Sequence, residues 1–130
     1  MRATVFLVFL VLVLTFGTGV SHADKAQVRI EAPDKAAKGA EITVKVQVSH
    51  HGNNLFHHTE WLKVEVNGQP VQKWEFSAMK RPESEDFTRS FTYKVEAPLA
   101  IVAEASCNIH GSKGPERWSV VILEESRSEP

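Results

Sequence analysis

The run Glu41-Ile42-Thr43-Val44-Lys45-Val46-Gln47-Val48-Ser49 alternates without a break. Ile42, Val44, Val46 and Val48 share one face, while Thr43, Lys45 and Gln47 share the other. A period of two sends successive side chains to opposite sides of an extended chain, so this segment is a strand with one buried face. Strands buried on both faces, as in parallel sheets, carry continuous apolar runs instead. The chain is therefore expected to build antiparallel sheets covered on one side.

The remaining segments agree. Residues 26–32 alternate, with Val28 and Ile30 on one face, and Pro33-Asp34 ends them. Residues 35–38 lead to a turn at Gly39. Residues 61–66 resume a strand, Asn67-Gly68 is a tight hairpin signal, and residues 71–76 supply the returning partner. Residues 78–86 are polar, contain Pro82, and read as a surface loop. Residues 87–95 alternate again. Pro98 precedes an apolar run, residues 99–106, that reads as a buried strand ending at Cys107. Residues 111–115 form a loop and residues 117–123 a last strand. Seven strands with closely spaced turn signals and no amphipathic helix predict an all-β fold, an immunoglobulin-like antiparallel β-sandwich of about seven strands. The paired cysteines of true immunoglobulin domains are absent.

The amino terminus reads differently. Met1-Arg2 is a short basic start, residues 5–16 are almost wholly apolar, and Ser21-His22-Ala23 resembles a signal-peptidase site. The apolar run is shorter than the ~20 residues a membrane span needs. The expectation is a signal peptide over residues 1–23, an exported, periplasmic product, and one domain over residues 24–130; an uncleaved anchor is the alternative. No other segment is long and apolar enough to span a membrane, so the mature form is expected to have no membrane partner. Loss of Arg2 leaves 14 basic against 16 acidic residues, a formal charge of −2. That balance argues against a nucleic-acid partner, which asks for a basic stripe.

Cysteine and histidine are placed unevenly. Cys107 is the only cysteine of the 130 residues, so no internal disulfide can form; it is a free thiol, an intermolecular link or a metal ligand. His110 follows three residues later. The other histidines after residue 23 are His50, His51, His57 and His58, all in one nine-residue window. A His-His doublet is often simply solvated, and a lone cysteine at a strand end is often a small core residue. Together the two stretches offer imidazole nitrogens and a thiolate sulfur from opposite ends of the chain. His51 and His57, six apart, form one pair; Cys107 and His110 form the other. Such a set suits tetrahedral zinc, copper as in cupredoxins, or iron. Met79 is the only methionine after residue 23, and it lies upstream of Cys107, so the late axial methionine usual in cupredoxins is missing.

Two motifs carry a resemblance. His51-Gly52-Asn53-Asn54-Leu55-Phe56-His57-His58 is similar to the His-Pro-Asn-x-x-Glu-His-His loop of the superoxide reductases, the neelaredoxin and desulfoferrodoxin family. Cys107-Asn108-Ile109-His110-Gly111 matches that family's Cys-Asn-x-His-Gly in full. The resemblance covers roughly residues 24–123. It implies one mononuclear iron (Fe2+/Fe3+) with equatorial histidines and an axial cysteine. By position, His51, His57 and His110 are equatorial ligands and Cys107 is axial. It also implies superoxide as substrate, hydrogen peroxide as product, an external electron donor and a small homo-oligomer. The family's Glu-Lys-His segment corresponds to Asp24-Lys25-Ala26, so the implied catalytic lysine is Lys25, and the remaining ligand position holds alanine. His50, His58 or a new amino terminus at Asp24 are the candidates for a fourth nitrogen. Gly52 and Phe56 replace the proline and glutamate of the loop motif. A non-enzymatic metal binder or cupredoxin-like electron carrier is the competing expectation. Trp61, Trp74 and Trp118 read as core or wall residues, and Asn108 as the residue that orders the cysteine loop.

Overall fold

The structure is a computed structural model that describes residues 25–124; the leader expected over residues 1–23 lies outside the described residues. Eight strands are present among them: β1 (Gln27–Glu31), β2 (Lys35–Ala36), β3 (Glu41–Ser49), β4 (Thr59–Val66), β5 (Gln69–Glu75), β6 (Phe87–Lys94), β7 (Leu99–Cys107) and β8 (Glu116–Ile122). They form two sheets, ordered β1-β3-β6 and β2-β8-β7-β4-β5. The described residues include no helix. The fold is the expected all-β sandwich, with one more strand than the seven read from the sequence. The addition is β2, two residues long and paired in parallel with β8. A two-residue strand carries no periodicity, so only its partner makes it visible.

The alternation of β3 is realised residue by residue, exposed and buried in turn from Glu41 to Ser49. Val44, Val46 and Val48 are essentially inaccessible and face Leu62, Val64 and Val66 of β4 and Ile101, Ala103 and Ala105 of β7 in the core between the sheets. Each fully buried aliphatic side chain of this kind contributes roughly 1.5–3 kcal/mol. Across the smaller sheet Val44 lies opposite Phe91 and Val48 opposite Phe87. Across the larger one Leu62 lies opposite Ala105 and Val66 opposite Ile101. Leu62 beside Ala105, and the two valines beside phenylalanines, pair larger side chains with smaller ones.

The β4–β5 hairpin turns at Asn67 and Gly68, whose φ values are +51° and +78°. Two consecutive positive φ values match the right-handed twist of the flanking strands, and asparagine and glycine adopt them at least cost. Asn67 also ties this turn to the start of β7: its side-chain oxygen accepts from the Ala100 N–H at 2.8 Å. Trp74 and Trp118 pack partly buried against the core, as expected, and Lys63 Nζ sits 4.8 Å over the ring of Trp61.

One end of the sandwich matters most for function. There β3 ends at Ser49, β4 begins at Thr59 and β7 ends at Cys107. Thr59 and Cys107 are direct ladder partners. Residues 50–58 carry the chain from the smaller sheet to the larger one, and they contain the histidine window.

Candidate metal centre

Leaving β3, the alternation runs one step further than the strand. His50 takes the inward parity of Ile42–Val48 and is 4% exposed. His51 takes the outward parity; its side chain is 86% exposed and lies 3.8 Å from Glu85. The loop then folds back on itself around Asn54. Asn54 Oδ1 accepts from the N–H groups of Phe56 and His57, each at 2.9 Å, and the Asn54 N–H donates to the His57 carbonyl at 2.9 Å. This asparagine turn lifts His57 back over Gly52. His58 is buried, with Nδ1 3.2 Å from the Asn54 carbonyl, and serves the loop from inside.

The cysteine loop is built by the same means. Cys107 N–H donates to the Gly111 carbonyl at 2.9 Å, and Gly111 N–H returns to the Cys107 carbonyl at 3.1 Å. Within this turn the sulfur of Cys107 accepts from the Ile109 and His110 N–H groups, each at 3.4 Å. Successive backbone N–H groups aimed at one atom form a small anion-favouring nest. Asn108 joins the two loops: Oδ1 accepts from His58 N–H at 3.0 Å, Nδ2 donates to the Phe56 carbonyl at 3.1 Å, and its N–H donates to the His58 carbonyl at 3.1 Å.

Three donors form one compact group as a result, and His110 reaches it through His57 and Cys107. His57 Nε2 lies 3.2 Å from His50 Nε2 and 3.2 Å from His110 Nδ1. Cys107 Sγ lies 3.8 Å from His110 Nδ1. The ligating atoms of His50, His57 and Cys107 all fall within 4.8 Å of one another. The neighbouring rings stand nearly perpendicular, at 87° and 82°, with their nitrogens in contact at the distances given. Bonds of about 2.1 Å to one ion, at right or tetrahedral angles, separate two nitrogens by roughly 3.0–3.4 Å. The observed spacings fit that range, and the donor chemistry, imidazole plus thiolate, fits a transition metal such as iron.

Of the residues expected from the sequence, the structure brings His57, Cys107 and His110 together. It does not bring His51 into the group; His50 stands there instead. His50 was legible as a candidate, and the strand parity from Ile42 onward is the signal that separates it from His51. Thr59, which the sequence reading missed, is buried with Oγ1 3.2 Å from His50 Nδ1. Ala26 is fully buried beside the cysteine loop: its N–H donates to the Gly111 carbonyl at 3.2 Å, and its own carbonyl accepts from Lys113 N–H at 2.9 Å. Lys25, immediately before it, is exposed.

Comparison with known proteins bears on the family and the fold. The family model described as desulfoferrodoxin matches residues 18–113. No curated protein matches the sequence significantly. Among solved structures, the superoxide reductase (neelaredoxin) from Ignicoccus hospitalis superimposes with a TM-score of 0.66 at 24% identity, covering 82% of this chain and 89% of that one. A candidate superoxide reductase from Thermotoga maritima gives 0.56 at 26% identity, covering 75% and 86%. The sulfur carrier protein SoxY from Chlorobium limicola f thiosulfatophilum shares the fold at 0.54 and 16% identity, covering 75% and 79%. With the family model spanning most of its length and both loop motifs meeting at one end of the sandwich, the chain belongs to the desulfoferrodoxin family.

Proposed function

We propose that this protein is an exported, mononuclear non-haem iron oxidoreductase of superoxide reductase type, acting on superoxide with an external electron donor. The observation that carries this reading is the grouping of His50, His57 and Cys107 at one end of the sandwich, with His110 Nδ1 in contact with His57 Nε2 and Cys107 Sγ. These four side chains would hold the metal, with His50 taking the part that the motif spacing suggested for His51. When bound, iron supplies a one-electron couple: superoxide takes one electron and two protons and leaves as hydrogen peroxide.

The chain's own residues shape that chemistry. The N–H groups of Ile109 and His110 orient the cysteine sulfur and hold electron density on it. Asn108 keeps the two ligand loops in register. Lys25, exposed beside the segment that bonds Gly111, offers a positive charge to an approaching anion. Export is supported by the apolar run and small-residue pattern of residues 1–23. A second reading, a metal protein without this enzymatic role, is favoured by Ala26, which brings no donor to its position beside Gly111.

Ferrous-loaded protein should consume superoxide stoichiometrically and yield peroxide without releasing dioxygen. Absence of a fast reaction with superoxide, in protein shown to hold one iron per chain, would rule out the enzymatic reading and leave the metal-binding one. Cys107→Ser should abolish the sulfur-to-metal charge-transfer absorption of the oxidised protein; an unchanged spectrum would remove Cys107 from the ligand set.

A further inference from the structure

We infer that Thr59 is a positioning residue of this centre: its hydroxyl fixes the ring tautomer of His50 so that the Nε2 lone pair faces the other donors. The inference rests on reading His50, His57, His110 and Cys107 as a metal centre.

Thr59 is 2% exposed and opens β4, where its backbone pairs with that of Cys107. It is therefore held by the same ladder that holds the sulfur ligand. Its Oγ1 lies 3.2 Å from His50 Nδ1, while the opposite ring nitrogen of His50 lies 3.2 Å from His57 Nε2. A neutral imidazole carries its proton on one nitrogen and presents a lone pair on the other. A nitrogen that ligates a metal must present the lone pair. The proton then sits on Nδ1 and is donated to the threonine oxygen, which can accept it while its own hydrogen turns elsewhere. The contact also fixes the rotation of the ring about its bond to the chain, because Oγ1 lies on a β-branched side chain with few rotamers.

The strand register explains why threonine can do this. Pairing of β4 with β7 shifts between Thr59 and Trp61, so Thr59 is set off from the regular alternation of Leu62, Val64 and Val66. Its side chain meets the crossing loop. The three imidazoles are held by unlike means: His50 by a hydroxyl, His57 by packing against Gly52, and His110 by the tight turn of its own loop.

The test compares Thr59→Val, which keeps shape and β-branching, Thr59→Ala, which removes the hydroxyl without placing a methyl there, and Thr59→Ser, which keeps the oxygen. Each is titrated anaerobically with ferrous iron alone, and the nitrogen ligands of the loaded form are counted by X-ray absorption. The metal-free fold is followed by circular dichroism. Loss of a hydrogen bond behind a ligating histidine typically costs 10–100-fold in metal affinity. The expected result is a loss of that size in Thr59→Val and Thr59→Ala, with one fewer nitrogen ligand, and recovery to within a few-fold in Thr59→Ser. A purely structural role would lower the melting temperature of the metal-free protein and leave the nitrogen count unchanged, which overturns the inference. Wild-type affinity in both hydroxyl-free variants overturns it as well. A wild-type chain that takes up no ferrous iron overturns the metal-centre reading and the inference with it.

Discussion

The imidazole of His57 lies directly against the α-carbon of Gly52. A methyl group on Gly52 would stand 2.6 Å from His57 Cε1 and 2.8 Å from Cγ, well inside van der Waals contact. Gly52 also has φ of +147°, a conformation that side-chain-bearing residues rarely adopt. Both facts place the glycine in the service of the histidine. Gly52→Ala should force the ring away from His50 and His110 and lower metal affinity at least tenfold. The sandwich itself should persist, since the core between the sheets is untouched. Metal titration alongside circular dichroism checks this; unchanged affinity would mean that the ring has room to yield.

Asn108 is the only described residue whose side chain bonds the backbone on both sides of His57, at Phe56 and at His58. Asn108→Ala removes both bonds and leaves the partly buried His58 N–H without that acceptor. The cost expected is roughly 1–3 kcal/mol of stability. Its clearest sign should be faster amide exchange at His58 than in the core of β3, measured by hydrogen exchange. Equal protection in variant and wild type would show that the strand ladders alone hold the two loops together.

Arg89 grips Glu83 through two nitrogens, at 2.8 and 2.9 Å, and its guanidinium lies 4.9 Å over Phe87 and 5.5 Å over Phe76. The hydrogen bond from Arg89 holds the Glu83 carboxyl below its ordinary value, aided by a backbone bond and the positive charge. A carboxyl depressed in the folded state stabilises it above its unfolded value and loses that contribution as pH falls through the folded one. Exposed pairs of this kind contribute roughly 0.2–1 kcal/mol. Glu83→Gln should therefore melt slightly lower than wild type near neutral pH, and the difference should close below the ordinary carboxylate range. Arg89→Ala should cost more, because the stacking on both phenylalanines is lost too. Melting temperatures across pH 3 to 7 test both statements.

Alternation was a sufficient guide to the sandwich because it is a local property: each strand's own residues state which face is buried, whatever the partner. It reached Ile42–Val48 without aid, and the Asn67-Gly68 dipeptide marked its turn by an equally local signal. The motif Cys107-Asn108-Ile109-His110-Gly111 was likewise legible, since a strand end and a tight turn bring its donors together within five residues. β2 was not, because two residues have no period. The histidine loop lies between these cases. Six-residue spacing favoured His51 with His57, yet the parity of β3 directs His50 inward and His51 toward Glu85. Motif spacing counts positions along the chain, whereas a donor's direction depends on how the strand enters the loop.

The sequence by itself determined an all-β sandwich and the two stretches that carry the candidate sulfur and imidazole donors, one in the loop that crosses between the sheets and one in the connection from β7 to β8. Tertiary structure decided that the inward parity of His50 ends beside His57 and Cys107, that Thr59 stands behind it, and that Gly52 makes room for His57. The first two are contacts of the loop of residues 50–58 with β4 and β7, and the third folds that loop on itself. They depend on how the loop is seated across the end of the two sheets, which the local pattern of residues does not state.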